Sequence, residues 1–238
     1  MGSPDGFFGV FGGENSREKN ETQHLVIISK EFKISKYPVT QSLYEYITGV
    51  NPSKFINENS PVENISWNDA KKFCNKLNIR YASQLPTGFK FDLPTEAQWE
   101  YACRAGSSTA FNNGKDLIGK DQCEGLDEIA WYKDNSDGKT HPVGQKKPNE
   151  WGIYDMHGNV YEWCRDWYDE YPKTCEIDPV GPNTNNSFLL NRVIRGGNYK
   201  SQAGNCRSAA RSYSNPNFPF ETAFNGSCGF RIVLVSVK

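Results

Sequence analysis

Seven cysteines and three histidines are the residues of this 238-residue chain best suited to chemistry, and their spacing argues against most of it. The thiols are Cys74, Cys103, Cys123, Cys164, Cys175, Cys206 and Cys228, and no CxxC pair occurs among them. An odd number spread along the chain fits neither a zinc cluster nor a disulfide scaffold. Cys74 and Cys103 fall on helix-like faces and read as small buried hydrophobes. A bridge from Cys164 to Cys175 is left open. His24, His141 and His157 lack the HExxH spacing of a metalloprotease, and His157, beside Gly158-Asn159, reads as a turn residue rather than a ligand. Arg195-Gly196-Gly197 lacks the Gly-Lys-Ser/Thr ending of a phosphate loop, so its glycines are read as permitting a tight turn. The stretch from Arg192 to Ile232 holds no His, Asp or Trp, and its single Glu is Glu221. It is built mostly from Asn, Ser, Gly, Ala, Tyr and Phe. That alphabet suits contact rather than proton transfer, because the rings supply area at low entropy cost and the small polar residues supply adaptable hydrogen bonds.

The elements that must position this stretch are legible in part. Thr40 caps a helix over Gln41 to Thr48, and Gly49 stops it. Ser66 caps a second helix, with Asp69 answering as a short capping-box acid. Trp67, Ala70, Phe73, Cys74 and Leu77 repeat at three and four residues and predict one buried stripe. Thr95 and Gln98 form another capping box, for a helix that runs through Tyr101 and Ala102 to a stop near Gly106. Strands are predicted at His24 to Ile28, Phe32 to Tyr37, Val193 to Arg195 and Phe230 to Val235. Beyond Gly106 the chain turns irregular, and Trp131, Trp151, Trp163 and Trp167 are read as plugs that tie loops to a core. The expected fold class is α+β, a single domain over residues 1–238 with small antiparallel strands, two or three short helices and much ordered coil.

Composition narrows the function classes. Lys and Arg (27) nearly balance Asp and Glu (28), so no global charge argues for nucleic acid or an anionic membrane. The 6 Trp, 12 Tyr and 14 Phe argue against disorder. No apolar run approaches the ~18 residues of a membrane span, and no secretion signal is visible.

Four ordered motifs carry a resemblance. They are Pro61-Val62-x-Asn64-Ile65-Ser66-Trp67-x-x-Ala70-x-x-Phe73-Cys74, Leu93-Pro94-Thr95-Glu96-Ala97-Gln98-Trp99-Glu100-Tyr101-Ala102-x-Arg104-Ala105-Gly106, Asn149-Glu150-Trp151-Gly152-Ile153-Tyr154-Asp155-Met156-x-Gly158-Asn159-Val160-x-Glu162-Trp163, and a last one spread over Arg195-Gly196-Gly197, Cys206-Arg207-Ser208-Ala209-Ala210-Arg211 and Gly229-Phe230-Arg231. Together they resemble the formylglycine-generating-enzyme, or sulfatase-modifying factor, family over almost the whole chain. The resemblance implies the family's variant of the C-type-lectin fold. It does not by itself carry a function. The family's oxidase needs two reactive cysteines after the Gly-Gly-x-Tyr segment, and thiolates suit copper(I). Here the first of those positions falls on Ser201. The second could fall on Cys206, in a loop about four residues shorter, and counting back from Ala209-Ala210-Arg211 gives no pair. The family's calcium site would place Gly158, Val160 and Glu162 as ligands, oxygen donors that suit a hard cation. The plainer reading has Glu162 and Asn159 bonding a turn, and no cofactor is required.

The C-terminal region, residues 192–235, also resembles the variable repeat of proteins diversified by retroelements, specifically the treponemal type. In such proteins adenines of the repeat are mutated during copying. AAC and AAT codons mutated at adenine reach Asn, Ser, Tyr, Phe, Gly, Ala, Asp, Thr and Cys but never Lys, Gln, Glu, Met or Trp. Between Asn198 and Cys228 those five unreachable types occur only as Lys200, Gln202 and Glu221. The resemblance therefore implies a non-enzymatic binding protein. Its candidate contact residues are Asn198, Tyr199, Ser201, Ala203, Gly204, Asn205, Ser212, Tyr213, Ser214, Asn215, Asn217 and Phe218, with Phe220 and Phe224 divided between core and surface. The implied partner is a protein or cell-surface macromolecule, with no nucleic acid, met by a monomer on a bacterial surface. The alternative is a catalytic family member with an altered site.

Overall fold

Side-chain caps start the first three helices where local sequence places them. The computed structural model describes residues 1–2, 16–119, 121–182, 190–217 and 227–237. Helix α1 (Gln41–Thr48) begins at Thr40, whose hydroxyl accepts from Leu43 N, and ends at Gly49, left-handed at φ 88°. Helix α2 (Trp67–Arg80) has both halves of its capping box, so the shorter Asp69 does reach back to Ser66 N. Helix α3 (Glu96–Arg104) has the Thr95–Gln98 box and stops on Ala105, left-handed at φ 46°, one residue before the predicted glycine. A fourth helix, α4 (Leu126–Ile129), is a single turn.

The strands form three small sheets. Strands β1 (Val26–Ile27) and β5 (Glu176–Ile177) pair in parallel. Strand β9 (Val233–Ser236) lies between β2 (Phe32–Ile34) and β3 (Phe89–Asp92), antiparallel to both. The central sheet runs β7-β6-β4-β8, with β4 (Tyr161–Trp167), β6 (Arg192–Arg195), β7 (Arg211–Ser214) and β8 (Cys228–Gly229). The class is α+β, as the sequence implies. The first two predicted strands are shorter than expected, and the closing one begins only at Val233, as β9, with the two-residue β8 ending just before Phe230.

Ala70, Phe73, Cys74 and Leu77 do face the core, where they pack with Tyr44, Trp163 and Phe230. Cys103 is buried as well, and all seven cysteines are free, so Cys164 and Cys175 are not bridged. The tryptophans divide. Trp163 belongs to β4 and is fully buried, with its indole donating to Ile65 O. Trp131 stacks on His141 at 3.8 Å. Trp151 is 47 % exposed and rests only its edge on Tyr101, which corrects its reading as a plug.

Around the central sheet, arginines are buried against carboxylates from distant parts of the chain. Arg231 grips Glu162 at 2.6 and 2.7 Å and also donates to Ser35 O and Tyr154 O. The Trp99 indole gives Glu162 a further bond at 2.6 Å. Arg195 meets Glu100 at 2.5 Å and donates to the carbonyls of Ser208, Ala209 and Ala210. Arg207 holds Glu21 at 2.7 Å through two nitrogens, and Arg211 holds Glu96 at 2.7 and 2.9 Å. A buried ion pair adds little net stability over a well-packed hydrophobe, but losing one partner strands the other charge. Arg231→Met is expected to cost about 3–5 kcal/mol in urea unfolding. The double variant Arg231→Met/Glu162→Met should recover most of that loss, and additive losses would contradict the pairing.

Candidate binding segment

The segment starts where β6 ends at Gly196 and Gly197, both with positive φ (93° and 73°). A Cβ on Gly196 would lie 3.0 Å from the Trp99 ring, and one on Gly197 would lie 2.6 Å from Cys206 Sγ. Glycine is therefore required twice, for conformation and for room. The chain then folds back on itself. Asn198 Oδ1 accepts from Lys200 N at 2.8 Å, an Asx turn that draws the amide inward. Its Nδ2 donates to Ser227 Oγ. Tyr199 is 1 % exposed, with its N bonded to Asn159 O, its carbonyl accepting from Ser136 Oγ and its ring edge against Phe55. Ser201 Oγ accepts from Asn198 N at 3.0 Å and lies 3.3 Å from the Tyr161 hydroxyl. Ala203 and Gly204 are buried in a short 3-10 turn, Ala203–Cys206, whose Ala203 and Cys206 share a core cluster with Phe111 and Leu126.

This geometry corrects six expected contact residues. Asn198, Tyr199, Ser201, Ala203 and Gly204 face inward, because the turn after the glycines spends their polar groups on itself and packs the rest. Ser214 is buried too, at the end of β7. The residues that reach solvent fall into two groups. Asn205 is exposed, together with Lys200 and Gln202, which the codon argument treats as constant. On the edge strand β7 and just beyond it, Ser212 and Asn215 are half-buried while Tyr213 and Asn217 are exposed. Tyr213 leans on Tyr168 at 4.4 Å, and Asn217 Oδ1 accepts from Asn68 Nδ2. Phe218, Phe220 and Phe224, with Glu221, lie outside the described residues. No sequence signal separates the inward from the outward set, since turns and binding loops share one alphabet.

The groups that could do chemistry are engaged elsewhere. Burial pushes the Cys206 thiol well above its ordinary value, and Cys103 up to about 12, so neither offers a thiolate. His157 donates from Nδ1 to Cys206 O and accepts from Asn112 N at Nε2. Burial lowers it to about 4, which leaves a neutral structural residue. Among the described residues no group of three or more His, Cys, Asp or Glu could hold a metal ion. Glu162 does not fit the role of calcium ligand, because Arg231 and Trp99 occupy its carboxylate and a guanidinium would face the cation. Gly158 and Val160 bring only backbone oxygens, and the Gly158 carbonyl already accepts from Val160 N. Gly158 also has no space for a side chain, since a Cβ would meet Trp131 O at 2.2 Å.

The small sheets and short helices form a C-type-lectin fold of the formylglycine-generating kind. The chain matches the sulfatase-modifying factor enzyme 1-like domain over residues 3–235 and belongs to that family. It is 34 % identical to the formylglycine-generating enzyme of Streptomyces coelicolor over 73 % of this chain and 52 % of that protein. The chain spans about half the length of the formylglycine-generating enzymes it matches. Among solved structures it is similar to Treponema denticola variable protein 1, with TM-score 0.72, 29 % identity and coverage of 85 % of this chain and 84 % of that one. It is also similar to PvdO from Pseudomonas aeruginosa, with TM-score 0.77, 27 % identity and coverage of 99 % and 90 %.

One buried group makes the frame sensitive to pH. Asp166 accepts from Glu96 N, and burial, then the charge of Glu96, raises it to about 7. An aspartate in an unfolded chain titrates near ~3.9. The stability contributed by its protonated form is therefore fully present below about pH 4 and is lost as pH rises through about 7. Asp166→Asn keeps the acceptor without the charge. It is expected to raise stability at pH 8 by about 1–3 kcal/mol and to change it little at pH 4, as read by thermal unfolding at both pH values.

Proposed function

We propose that this protein binds a ligand without catalysis, through surface positions diversified by a retroelement. The observation that carries the reading is the division within the C-terminal segment. Arg195, Arg207, Arg211 and Arg231 are anchored inside by carboxylates, while Asn205, Tyr213 and Asn217 between them face solvent. Substitution at exposed positions of a packed domain usually costs no more than about 0.5 kcal/mol, so such a frame tolerates change on its face. The likeness to Treponema denticola variable protein 1 supports the same reading. Tyr213 would be a contact residue of the kind that dominates interfaces, with Ser212, Asn215 and Asn217 supplying adaptable polar contacts. The ligand class is a protein or cell-surface macromolecule, met by a monomer at a bacterial surface without nucleic acid.

The second reading is a catalytic family member with an altered site, favoured by its identity to formylglycine-generating enzymes. Two measurements separate the readings. Sequencing the gene from related isolates should find substitutions concentrated at Asn205, Ser212, Tyr213, Asn215 and Asn217, beside an invariant template copy and a reverse transcriptase gene. Uniform drift along the chain would sink the binding reading. Incubation with copper and a cysteine-bearing sulfatase peptide should leave that cysteine unchanged by mass spectrometry, whereas conversion to formylglycine would establish the enzyme.

A further inference from the structure

Two arginines differ from those that anchor the frame. Arg192 opens β6, and Arg165 lies on β4. Neither has a carboxylate within salt-bridge distance among the described residues. The Arg192 guanidinium lies between two indoles, its carbon 3.9 Å from the Trp67 ring centre and 3.5 Å from that of Trp167. One of its nitrogens donates to Arg165 O at 2.6 Å, while its Nε is buried without a hydrogen-bond partner. The Arg165 guanidinium makes no hydrogen bond among the described residues. Lys71 completes the cationic lining, but Asp92 balances its charge. These side chains line an open cleft of about 290 Å³.

We propose that this cleft is an oxyanion site, with Arg165 and Arg192 as its charged donors and a phosphate or sulfate group as its ligand. The two guanidiniums repel each other without a carboxylate at salt-bridge distance among the described residues, and the indoles on either side of Arg192 cover its two faces. A doubly charged oxyanion placed between them would relieve the repulsion and satisfy the orphaned Nε. Guanidinium presents a planar fork that matches tetrahedral oxyanions, and its bonds to them are charge-assisted. Burial lowers the Arg192 value to about 10, the charge of Asp166 opposes that shift, and Arg165 adds a smaller lowering. Asp166, buried on β4 and raised to about 7, attracts Arg192 without forming an ion pair with it.

The cleft also borders the proposed binding face. Arg192 pairs across the sheet with Ser214 of β7, and Asn68, next to Trp67, bonds both Pro216 O and Asn217 Oδ1. A fixed anion site would there lie beside positions that vary. The site itself does not depend on that reading, because it stands on the two unpaired arginines alone.

The test uses the whole chain, with inorganic phosphate and sulfate as probes and chloride at matched ionic strength as control. The Arg192 Nε–Hε and Trp67 indole resonances are followed by NMR. The expected result is a saturable shift with phosphate and with sulfate, weakened about tenfold or more in Arg165→Gln and unchanged in Lys200→Gln. Arg165 is half-buried and bonds no other side chain, so its variant should keep the wild-type spectrum elsewhere. A shift that chloride reproduces, or equal binding by Arg165→Gln and wild type, would overturn the proposal.

Discussion

Among its described residues, the C-terminal third of this molecule is held by arginine side chains that have been taken out of water and matched to carboxylates contributed by distant segments. Arg231 is held by Glu162, Arg195 by Glu100, Arg207 by Glu21 and Arg211 by Glu96. Their contribution is less to net stability than to uniqueness of position. Dehydrating two charges costs several kcal/mol per ion, and only close geometry with further hydrogen bonds offsets it, so a displaced backbone loses the compensation at once. Arg195 shows the consequence most clearly. It bonds three successive carbonyls from Ser208 to Ala210 and thereby fixes where β7 begins.

That constraint explains how one scaffold can serve different ends. The resemblance to the formylglycine-generating enzymes implies a pair of thiols in the segment after the two glycines. Here the same segment is closed by an Asx turn at Asn198 and a serine at 201, and the nearby thiol of Cys206 is sealed among apolar groups. What remains at the surface is a strand edge and a turn. Their solvent-facing side chains, Tyr213 and Asn217, take no part in the ion pairs below them.

How much of this was legible in the sequence follows from distance along the chain. The caps at Thr40, Ser66 and Thr95 could be read because both partners of each bond lie within a few residues. The stripe on α2 could be read because one face of that helix is buried. Strand β4 could not, because Tyr161 to Cys164 are buried on both sides and show no alternation. The ion pairs were invisible for a different reason: Arg207 and Glu21 are 186 positions apart, and only topology brings them together. The inward turn of Asn198, Tyr199 and Ser201 was misread from composition, since asparagine and serine serve equally in a self-bonded turn and in a contact surface.

The central claim is that the buried pairs carry the fold and leave the face free to vary. A library randomised at Asn205, Ser212, Tyr213, Asn215 and Asn217 tests it directly, beside a second library randomised at the inward-facing Asn198, Tyr199 and Ser201. The measurement is the fraction of members that resist limited proteolysis as the parent does. Most of the first library should remain resistant and most of the second should not. Equal loss of resistance in both would show that the face and the frame are not separable, and would contradict this account.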